Sequence, residues 1–519
     1  IEKIIGPEAK NIWMGTFHSV FAKILRFEAD KIGYPTNFTI YDSDDSKALL
    51  RRIIKEMSLD TDIYKVNIVQ SRISSFKNNL ITVKAYNNNA ELKTQDDSAH
   101  RPQMGVIYEK YVTECFKSGA MDFDDLLFKT NVLLKDHADV LHRYQHKFKY
   151  ILVDEYQDTN YSQYLIVKRL AALNENLCVV GDDAQSIYAF RGANIQNILN
   201  FKKDYPDFKL FKLEQNYRST KIIVDAANSI ISNNTEQIEK KVWTANSEGD
   251  KIKVFKAATD NEEGKIVANS IFDNQQREHA KNLDFAILYR TNAQSRSFEE
   301  SLRKLNIAYK IYGGLSFYQR KEIKDLLSYY RLTANHNDEE ALKRVINYPK
   351  RGIGKTSLDH AMVAASENGK SLWHILDNPG KYPLAINNGA KSKIKDFIAM
   401  IKSFAANLEK LNAYDIAHQI ASSCGLLKEL YNDKSPEGLS RYENIQELLN
   451  GIQEFSKEKN KIVKEFNVFK KKEIENNDDL KIAVSRLKIK FMSESQSLLH
   501  GDLHTGSIMV SENDTKVID

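Results

Sequence analysis

Residues 151–158 read Ile-Leu-Val-Asp-Glu-Tyr-Gln-Asp, three apolar residues followed at once by two carboxylates. A short apolar run bounded by polar residues is typical of a strand buried in a parallel sheet. Ligands of such sheets bind just beyond the carboxyl ends of the strands. We therefore expect Asp154 and Glu155 to lie where the Mg²⁺ of a bound nucleotide is held. One carboxylate can ligate the ion, and the next can orient or deprotonate an attacking water. A strand that ends in two acids also occurs by chance.

Two further segments repeat this order of strand, polar cluster and helical pattern. Residues 177–180 precede Gly-Asp-Asp-Ala-Gln-Ser-Ile-Tyr-Ala-Phe-Arg-Gly-Ala at 181–193, and residues 208–213 precede Glu-Gln-Asn-Tyr-Arg-Ser-Thr at 214–220. The whole set points to nucleotide and nucleic-acid chemistry, although any one member alone fits an ordinary structural role.

Individual side chains in these clusters suit that chemistry. Gln185 can read a γ-phosphate or the attacking water, and Arg218 can approach the γ-phosphate as an arginine finger. Tyr188 and Phe190 are aromatic residues beside Arg191, a mixture that stacks on unpaired bases. The alternatives are a turn glutamine, a core phenylalanine and a solvated arginine.

In this order, the clusters resemble the helicase motifs of the UvrD/PcrA/Rep group of superfamily 1. The resemblance runs from residue 1 to about residue 450. Further segments that fit it are residues 15–19, 121–127, 286–296, 317–325 and 349–354. The resemblance implies an enzyme that uses ATP and Mg²⁺ and binds single-stranded and duplex DNA.

The resemblance also implies a role for each matching residue of the ATP site. Asp154 resembles the Mg²⁺ ligand and Glu155 the residue that activates water. Gln185 resembles the γ-phosphate sensor that couples hydrolysis to DNA contact. Tyr217 resembles the residue that stacks on adenine, and Arg218 the one that contacts the γ-phosphate.

A second group of matching residues resembles the family's DNA contacts. Thr16 and His18 resemble contacts to single-stranded DNA. Tyr188 and Phe190, beside Arg191, resemble the pair on which bases stack. The second position is often Trp in relatives, so this Phe is expected to stack more weakly.

The segment Gly-Ile-Gly-Lys-Thr at 352–356 is not a phosphate-binding loop, because that loop requires Gly at position 349, where this chain has Pro. The segment better fits a tight turn in which the backbone N–H groups of Gly352 and Gly354 face a DNA phosphate. A purely structural turn is the alternative.

The predicted fold class is α/β, with two RecA-like P-loop NTPase motor domains, both incomplete, large helical inserts and a C-terminal kinase-like fragment. The predicted domains are 1–25 with 120–204 (first motor domain), 26–119 (its helical insert), 205–333 (second motor domain), 334–457 (its helical insert) and 458–519 (kinase-like fragment).

The family holds the triphosphate in a glycine-rich loop with a Lys. The 519 residues contain no G-x-x-x-x-G-K-S/T, and the late helicase motifs are also absent. We therefore interpret the chain as the interior of a helicase, truncated at both ends, and expect it to hydrolyse ATP negligibly.

The last residues resemble a different family. Residues 498–510 contain His-Gly-Asp-Leu-His, and the chain ends Thr-Lys-Val-Ile-Asp, as in methylthioribose kinase. The resemblance implies that Asp502 accepts the proton of a substrate hydroxyl and that Asp519 binds Mg²⁺. This combination suggests a chimera of two genes; the alternative is a chance match.

Composition argues against a disordered protein and against a membrane-spanning one. The chain is 42% hydrophobic and 28% charged, which fits a globular protein, and it has no apolar run long enough for a membrane. We also expect no signal peptide. Its three cysteines form no metal-like pair, so a reducing, cytoplasmic location is expected. The net charge of +5 does not by itself indicate nucleic acid, so DNA would bind a local groove.

The leading hypothesis is the core of an ATP-dependent 3′–5′ DNA helicase of the PcrA/UvrD type, in which ATP closes a cleft between motor domains. A small-molecule kinase is a second hypothesis, supported by the last residues alone. A non-catalytic remnant that binds single-stranded DNA is a third, and the missing phosphate loop favours it.

Overall fold

The structure, a computed structural model, describes residues 6, 12–189, 192–235, 237–291, 294–312, 317–433, 435–474 and 507–511. The chain divides into two compact units. The first unit combines Ile1–Asp207 with Phe317–Asp519, and the second unit is Phe208–Ser316.

The strands are β1 Trp13–Gly15, β2 Thr39–Tyr41, β3 Ala120–Asp122, β4 Phe148–Val153, β5 Leu177–Val179 and β6 Ser507–Ser511. The helices are α1 Phe17–Glu28, α2 Ser43–Glu56, α3 Val66–Asn78, α4 Val83–Asn87, α5 Ala90–Ser98, α6 Met104–Lys117, α7 Phe123–Asp136, α8 Ala138–Lys147, α9 Tyr161–Ala171, α10 Gln196–Leu199, α11 Phe201–Asp204, α12 Lys221–Ile231, α13 Asp260–Glu278, α14 Ser295–Lys304, α15 Lys321–Ala334, α16 Glu339–Val345, α17 Lys355–Asn368, α18 Leu372–Asp377, α19 Asn388–Ala405, α20 Ala413–Ser423, α21 Leu426–Asn432 and α22 Pro436–Ile474. Across the described ranges, no helix combines the length and apolar character needed to cross a membrane.

The main sheet of the first unit has the strand order β1-β6-β4-β5. β4 and β5 are parallel, with Ile151 opposite Leu177 and Val153 opposite Val179. The predicted strands at 151–153 and 177–180 are therefore confirmed. Because the two strands are parallel neighbours, the polar residues that follow them emerge at the same edge of the sheet.

Apolar side chains of β4 hold this edge in place. Phe148, Ile151 and Val153 are buried in a core that α1, α7 and α9 cover. Helix α1 contributes Phe21 and Leu25, four residues apart and so on the same helical face. Burial of each such side chain stabilises the fold by about 1.5–3 kcal/mol, which makes the sheet a rigid base for the loops at its edge.

The predicted helical character of residues 26–119 is confirmed in α2–α6. Helix α2 begins with a capping box, in which Asp42 accepts the N–H of Asp45 and Asp45 accepts the N–H of Asp42. In the middle of this region, the ammonium group of Lys77 in α3 lies 2.7 Å from Asp122 of β3 and 2.9 Å from Asp125 of α7. This buried ion cluster links α3 of the helical region to β3 and to α7, which packs against the core of the main sheet.

The helices after residue 317 pack in the same unit. Arg331 of α15 contacts Asp45 at 2.7 Å and Asp338 at 2.9 Å. Asn335 donates a hydrogen bond to the carbonyl of Ser118 at 2.9 Å. The structure therefore places residues 317–333 in the first unit, whereas the boundary at 333 for a second motor domain stays a prediction.

The second unit is built on α12, α13 and α14, and its small core includes Ala268, Ile271 and Leu302. The predicted strands at 208–213, 252–255 and 285–289 are wrong, because the structure has no regular strand at these described positions. Val254 is 92% exposed and Leu288 is 94% exposed. An apolar run becomes a strand when a neighbour pairs its backbone groups, and the run does not itself supply that neighbour.

Candidate active site and nucleic-acid interface

The two carboxylates after β4 are both exposed at the edge of the sheet. Glu155 has a left-handed backbone with φ 51° and ψ 41°, which costs a residue other than Gly about 1–2 kcal/mol. The N–H of Tyr156 donates to the backbone carbonyl of Val180 at 2.9 Å, and the N–H of Asp158 donates to the backbone carbonyl of Glu155 at 2.9 Å. These bonds hold the strained turn, and strain of this kind clusters at functional sites.

Asp154 offers a carboxylate that suits Mg²⁺. Its Oδ1 accepts the N–H of Glu155 at 2.9 Å, and the side chain is exposed. Among the described residues, no group of three or more His, Cys, Asp or Glu side chains forms a metal cage. Mg²⁺ in nucleotide sites usually binds one or two carboxylates, substrate phosphates and water, so a single exposed Asp fits this ion.

Gln185 lies in a short turn after β5 that Asp182 organises. Asp182 Oδ1 accepts the N–H of Ala184 at 3.0 Å, and Asp182 Oδ2 accepts a hydrogen bond from Gln185 Nε2 at 2.8 Å. Asp182 was missed by the motif-based prediction. The available signal was an Asp that begins a turn, where its side chain commonly accepts a backbone N–H two residues later.

Gln157 is a second residue that the motif-based prediction missed. It is 1% exposed, and its side chain connects the loops after β4 and β5. Its Nε2 donates to Glu155 Oε2 at 2.7 Å, and its Oε1 accepts the N–H of Asp182 at 3.0 Å. The structure thus brings the predicted residues Glu155 and Gln185 into one hydrogen-bonded network.

Thr16 and His18 lie where β1 leads into α1. Thr16 caps the helix, since its Oγ1 accepts the N–H of Ser19 at 3.3 Å. The ring of His18 packs against that of Phe123 with a centroid distance of 4.6 Å and an interplanar angle of 37°. Burial lowers the pKa of His18 to about 4, so the ring is neutral at pH 7. His18 can therefore stack or donate one hydrogen bond, but it brings no positive charge to a phosphate.

Of the predicted base-stacking pair, Tyr188 lies among the described residues. Tyr188 is 38% exposed and lies three residues after Gln185. Its carbonyl accepts the N–H of Ala193 at 3.3 Å, which closes the loop. Phe190 and Arg191 lie outside the described residues, and their roles stay predictions.

Tyr217 and Arg218 lie in the second unit, in a turn built by two asparagines. Asn216 Oδ1 accepts the N–H of Arg218 at 3.0 Å, and Asn246 donates to the carbonyl of Tyr217 at 3.1 Å. Both predicted side chains are exposed, Tyr217 by 78%. The two asparagines were missed, because nothing in the local pattern links position 246 to position 216.

The glycine turn before α17 is shaped by side chains from elsewhere. Asn347 Oδ1 accepts the N–H of Arg351 at 3.0 Å and that of Ile353 at 3.1 Å. Gly352 has φ +73°, and Lys393 Nζ lies only 2.5 Å from where a Cβ at Gly352 would stand. A cation beside a helix N-terminus suits a phosphate. Lys393 was missed because it is distant in sequence.

Replacing Gly352 with Ala is expected to lower the free energy of unfolding by about 1–2 kcal/mol, because an L residue is strained in the left-handed conformation. The matched control is Gly354→Ala, since Gly354 has φ −73° and no atom lies within 4 Å of where its Cβ would stand. Urea denaturation measures both changes. Equal effects of the two substitutions would contradict this account of the turn.

Asp502 and Asp519, the predicted kinase residues, lie outside the described residues. The structure does describe Ser507–Ser511, and this strand pairs antiparallel with β1 and β4 in the sheet of the first unit. The kinase-like roles of Asp502 and Asp519 remain predictions.

The edge of the parallel sheet thus carries Asp-Glu after β4 and a Gln-bearing turn after β5. Residues 1–206 match the UvrD/REP helicase N-terminal domain, and residues 211–493 match the UvrD-like helicase C-terminal domain. The chain belongs to the UvrD-like helicase family. The second match extends beyond residue 450, where the resemblance was expected to fade, and residues 494–519 lie outside both matches.

The chain is also similar to individual proteins of this family. The chain is similar to the ATP-dependent DNA helicase PcrA of Staphylococcus aureus strain Mu50, with 42% identity over 449 residues, which cover 86% of this chain and 60% of that protein. The PcrA of Staphylococcus epidermidis strain ATCC 12228 is similar to the same extent. The chain thus spans about 60% of the length of these relatives.

Proposed function

We propose that this chain forms the motor core of an ATP-dependent DNA helicase that translocates 3′ to 5′ on single-stranded DNA. The observation that carries the proposal is the edge of the sheet after β4 and β5. There, hydrogen bonds through Gln157 and Asp182 connect Glu155, the neighbour of Asp154, with Gln185. The similarity to relatives named ATP-dependent DNA helicase PcrA supports the same activity.

Each residue at this edge of the sheet has its own proposed role in ATP hydrolysis. Bound Mg²⁺ supplies neutralisation of phosphate charge, and Asp154 would hold it. Glu155 orients the attacking water and takes its proton. Gln185 donates or accepts a hydrogen bond at the γ-phosphate or the attacking water. For Tyr217 and Arg218 we propose adenine stacking and γ-phosphate contact, the roles that the resemblance implies.

The proposed DNA contacts lie in separate segments of the first unit. Tyr188 follows Gln185 by three residues, so one short segment carries both the proposed γ-phosphate sensor and a base-stacking side chain. Loss of the γ-phosphate can thereby shift a base contact. Phe190 and Arg191 continue that segment, Thr16 and neutral His18 would contact single-stranded DNA, and the turn at 352–354 would bind duplex phosphates.

A small-molecule kinase activity draws no support from the described residues, since Asp502 and Asp519 lie outside them. A non-catalytic DNA-binding protein differs from a helicase in a measurable way. It would bind single-stranded DNA equally with and without ATP, whereas a motor changes its DNA affinity through the nucleotide cycle.

The 519 residues alone are still expected to hydrolyse ATP negligibly, because they contain no glycine-rich loop with Lys for the triphosphate. Strand displacement therefore tests the proposal with the full-length protein, which here means this chain together with such a loop. A duplex with a 3′ single-stranded tail and the same duplex with a 5′ tail are each incubated with the protein, ATP and Mg²⁺. The 3′-tailed duplex is expected to unwind and the 5′-tailed duplex to stay paired. Unwinding of neither duplex, or of the 5′-tailed duplex alone, would refute the proposed activity.

Replacing Tyr188 with Ala is expected to weaken binding to single-stranded DNA roughly 5- to 150-fold, the equivalent of about 1–3 kcal/mol for one stacked base. Fluorescence anisotropy of a labelled thymine oligonucleotide measures the Kd. Tyr161→Ala is the matched control, because Tyr161 is also an exposed tyrosine of the first unit, at 42%. If both variants bind as wild type does, Tyr188 does not stack on a base.

A further inference from the structure

We propose that Gln157 is a positioning residue that holds the Glu155 carboxylate and connects it to the turn that carries Gln185. This inference rests on the proposed ATP hydrolysis and adds a residue to it. Gln157 does not contact the nucleotide in this account; it acts through Glu155 and Asp182.

The orientation of the Gln157 amide is fixed by its partners. The backbone N–H of Asp182 can only donate, so the group facing it at 3.0 Å must be the carbonyl oxygen Oε1. The amide nitrogen Nε2 then faces Glu155 Oε2 at 2.7 Å as a donor. A hydrogen bond to an ionised carboxylate is about twice as strong as one between neutral groups. The amide therefore fixes one oxygen of Glu155 and leaves the other for water.

Glu155 needs such support. Its left-handed backbone is strained, and its side chain is exposed to solvent, where a carboxylate samples several rotamers. Gln157, in contrast, is buried to 1% exposure between two loops that hydrogen bonds attach to the sheet. Because the rigid Gln157 amide already holds the Glu155 carboxylate, Glu155 loses less rotamer freedom when it orients the water.

Gly181 provides a second, independent observation. A Cβ at Gly181 would lie 2.5 Å from Gln157 Oε1, 2.9 Å from Ile198 Cδ1 and 3.3 Å from the backbone nitrogen of Tyr156. The backbone nitrogen cannot move without moving the turn of Glu155. The loop after β5 can therefore approach Gln157 this closely only because residue 181 has no side chain.

The bonds continue from Glu155 to the proposed phosphate sensor. Gln157 joins Glu155 to the backbone of Asp182, and Asp182 Oδ2 in turn holds Gln185 Nε2 at 2.8 Å. A displacement of Gln185 on γ-phosphate loss is thereby transmitted through Asp182 to the residue that orients the water. This connection gives the site a means to align water only while the γ-phosphate is present.

The test measures DNA-stimulated ATP hydrolysis by the full-length protein and its Gln157→Leu variant. We expect kcat to fall roughly 10- to 100-fold, as for loss of one hydrogen bond to a charged group, while KM for ATP and Kd for single-stranded DNA stay within about twofold. In a Glu155→Gln background, Gln157→Leu should cause no further loss of kcat, because it acts through the missing carboxylate.

Two more variants separate positioning from folding. Gly181→Ala should reproduce the fall in kcat by displacing the Gln157 amide. Gln145→Leu is the matched control, because Gln145 is also a buried amide, which donates to the carbonyl of Arg169 at 2.7 Å away from the site. Its kcat should stay at the wild-type value. If Gln157→Leu does not fold, Gln157→Glu keeps the shape, places a second carboxylate against Glu155 and should show the same loss.

The outcomes separate this inference from the proposed function. A wild-type protein without DNA-stimulated hydrolysis refutes both. Wild-type activity with an unchanged kcat in the Gln157 variants refutes the positioning role alone. A fall in kcat that persists equally in the Glu155→Gln background, or that matches the Gln145→Leu control, would also overturn it, because Gln157 would then be merely structural.

Discussion

Replacing Glu155 with Gln is expected to slow DNA-stimulated ATP hydrolysis by about 10²–10⁴-fold, the contribution typical of a general base. Gln keeps the size and shape of the side chain but cannot take a proton from water. Binding of ATP and of single-stranded DNA should remain, because Asp154 and the DNA-contacting residues are unchanged. The enzyme would therefore be trapped with nucleotide and DNA bound.

Steady-state hydrolysis by the full-length protein, together with anisotropy on labelled single-stranded DNA, measures both halves of this expectation. Glu175→Gln is the matched control, since Glu175 is an exposed glutamate after α9 in the same unit. A Glu155→Gln variant that hydrolyses ATP as fast as the control would show that another group activates the water.

Replacing Lys77 with Met is expected to lower the free energy of unfolding by about 3–5 kcal/mol, the cost of leaving buried charges without their partner. Lys77 is 1% exposed and contacts Asp122 and Asp125. Burial by itself would lower the pKa of Lys77, but the attraction of the two carboxylates outweighs it, so that the pKa lies well above its ordinary value. The lysine is thus charged in the folded protein.

Urea denaturation followed by circular dichroism measures the loss. Lys402→Met is the matched control, because Lys402 also pairs with a carboxylate, Asp377 at 2.6 Å, but is half exposed. Surface pairs of this kind contribute about 0–1 kcal/mol. A similar small effect at both positions would mean that the buried cluster does not fasten the helical region to the sheet.

The sequence predicts β4, β5 and the loops that follow them because the signal there is local. An apolar run of three or four residues followed by carboxylates or by Gly-Asp specifies both the strand and the edge at which it ends. For the same reason, Asp154, Glu155 and Gln185 stand out in the sequence alone. Parallel pairing of β4 and β5 then brings them together.

Other features depend on contacts between distant residues, which a single sequence does not reveal. Lys77 reaches carboxylates 45 and 48 positions away, and Lys393 lies against Gly352. The predicted strand at 252–255 failed for a related reason, since its apolar pattern was present but no neighbouring strand among the described residues pairs with it. Gln157 was overlooked although it lies inside the deciding segment, because its partner Asp182 belongs to the next loop.

The most direct test of the central claim is the rate of ATP hydrolysis by the full-length protein, measured with and without single-stranded DNA at saturating Mg²⁺. We expect hydrolysis that DNA stimulates strongly and that Glu155→Gln slows by about 10²–10⁴-fold. Hydrolysis that is absent in both conditions, or that is the same with and without DNA, would contradict the assignment of this chain as the core of a DNA-translocating motor.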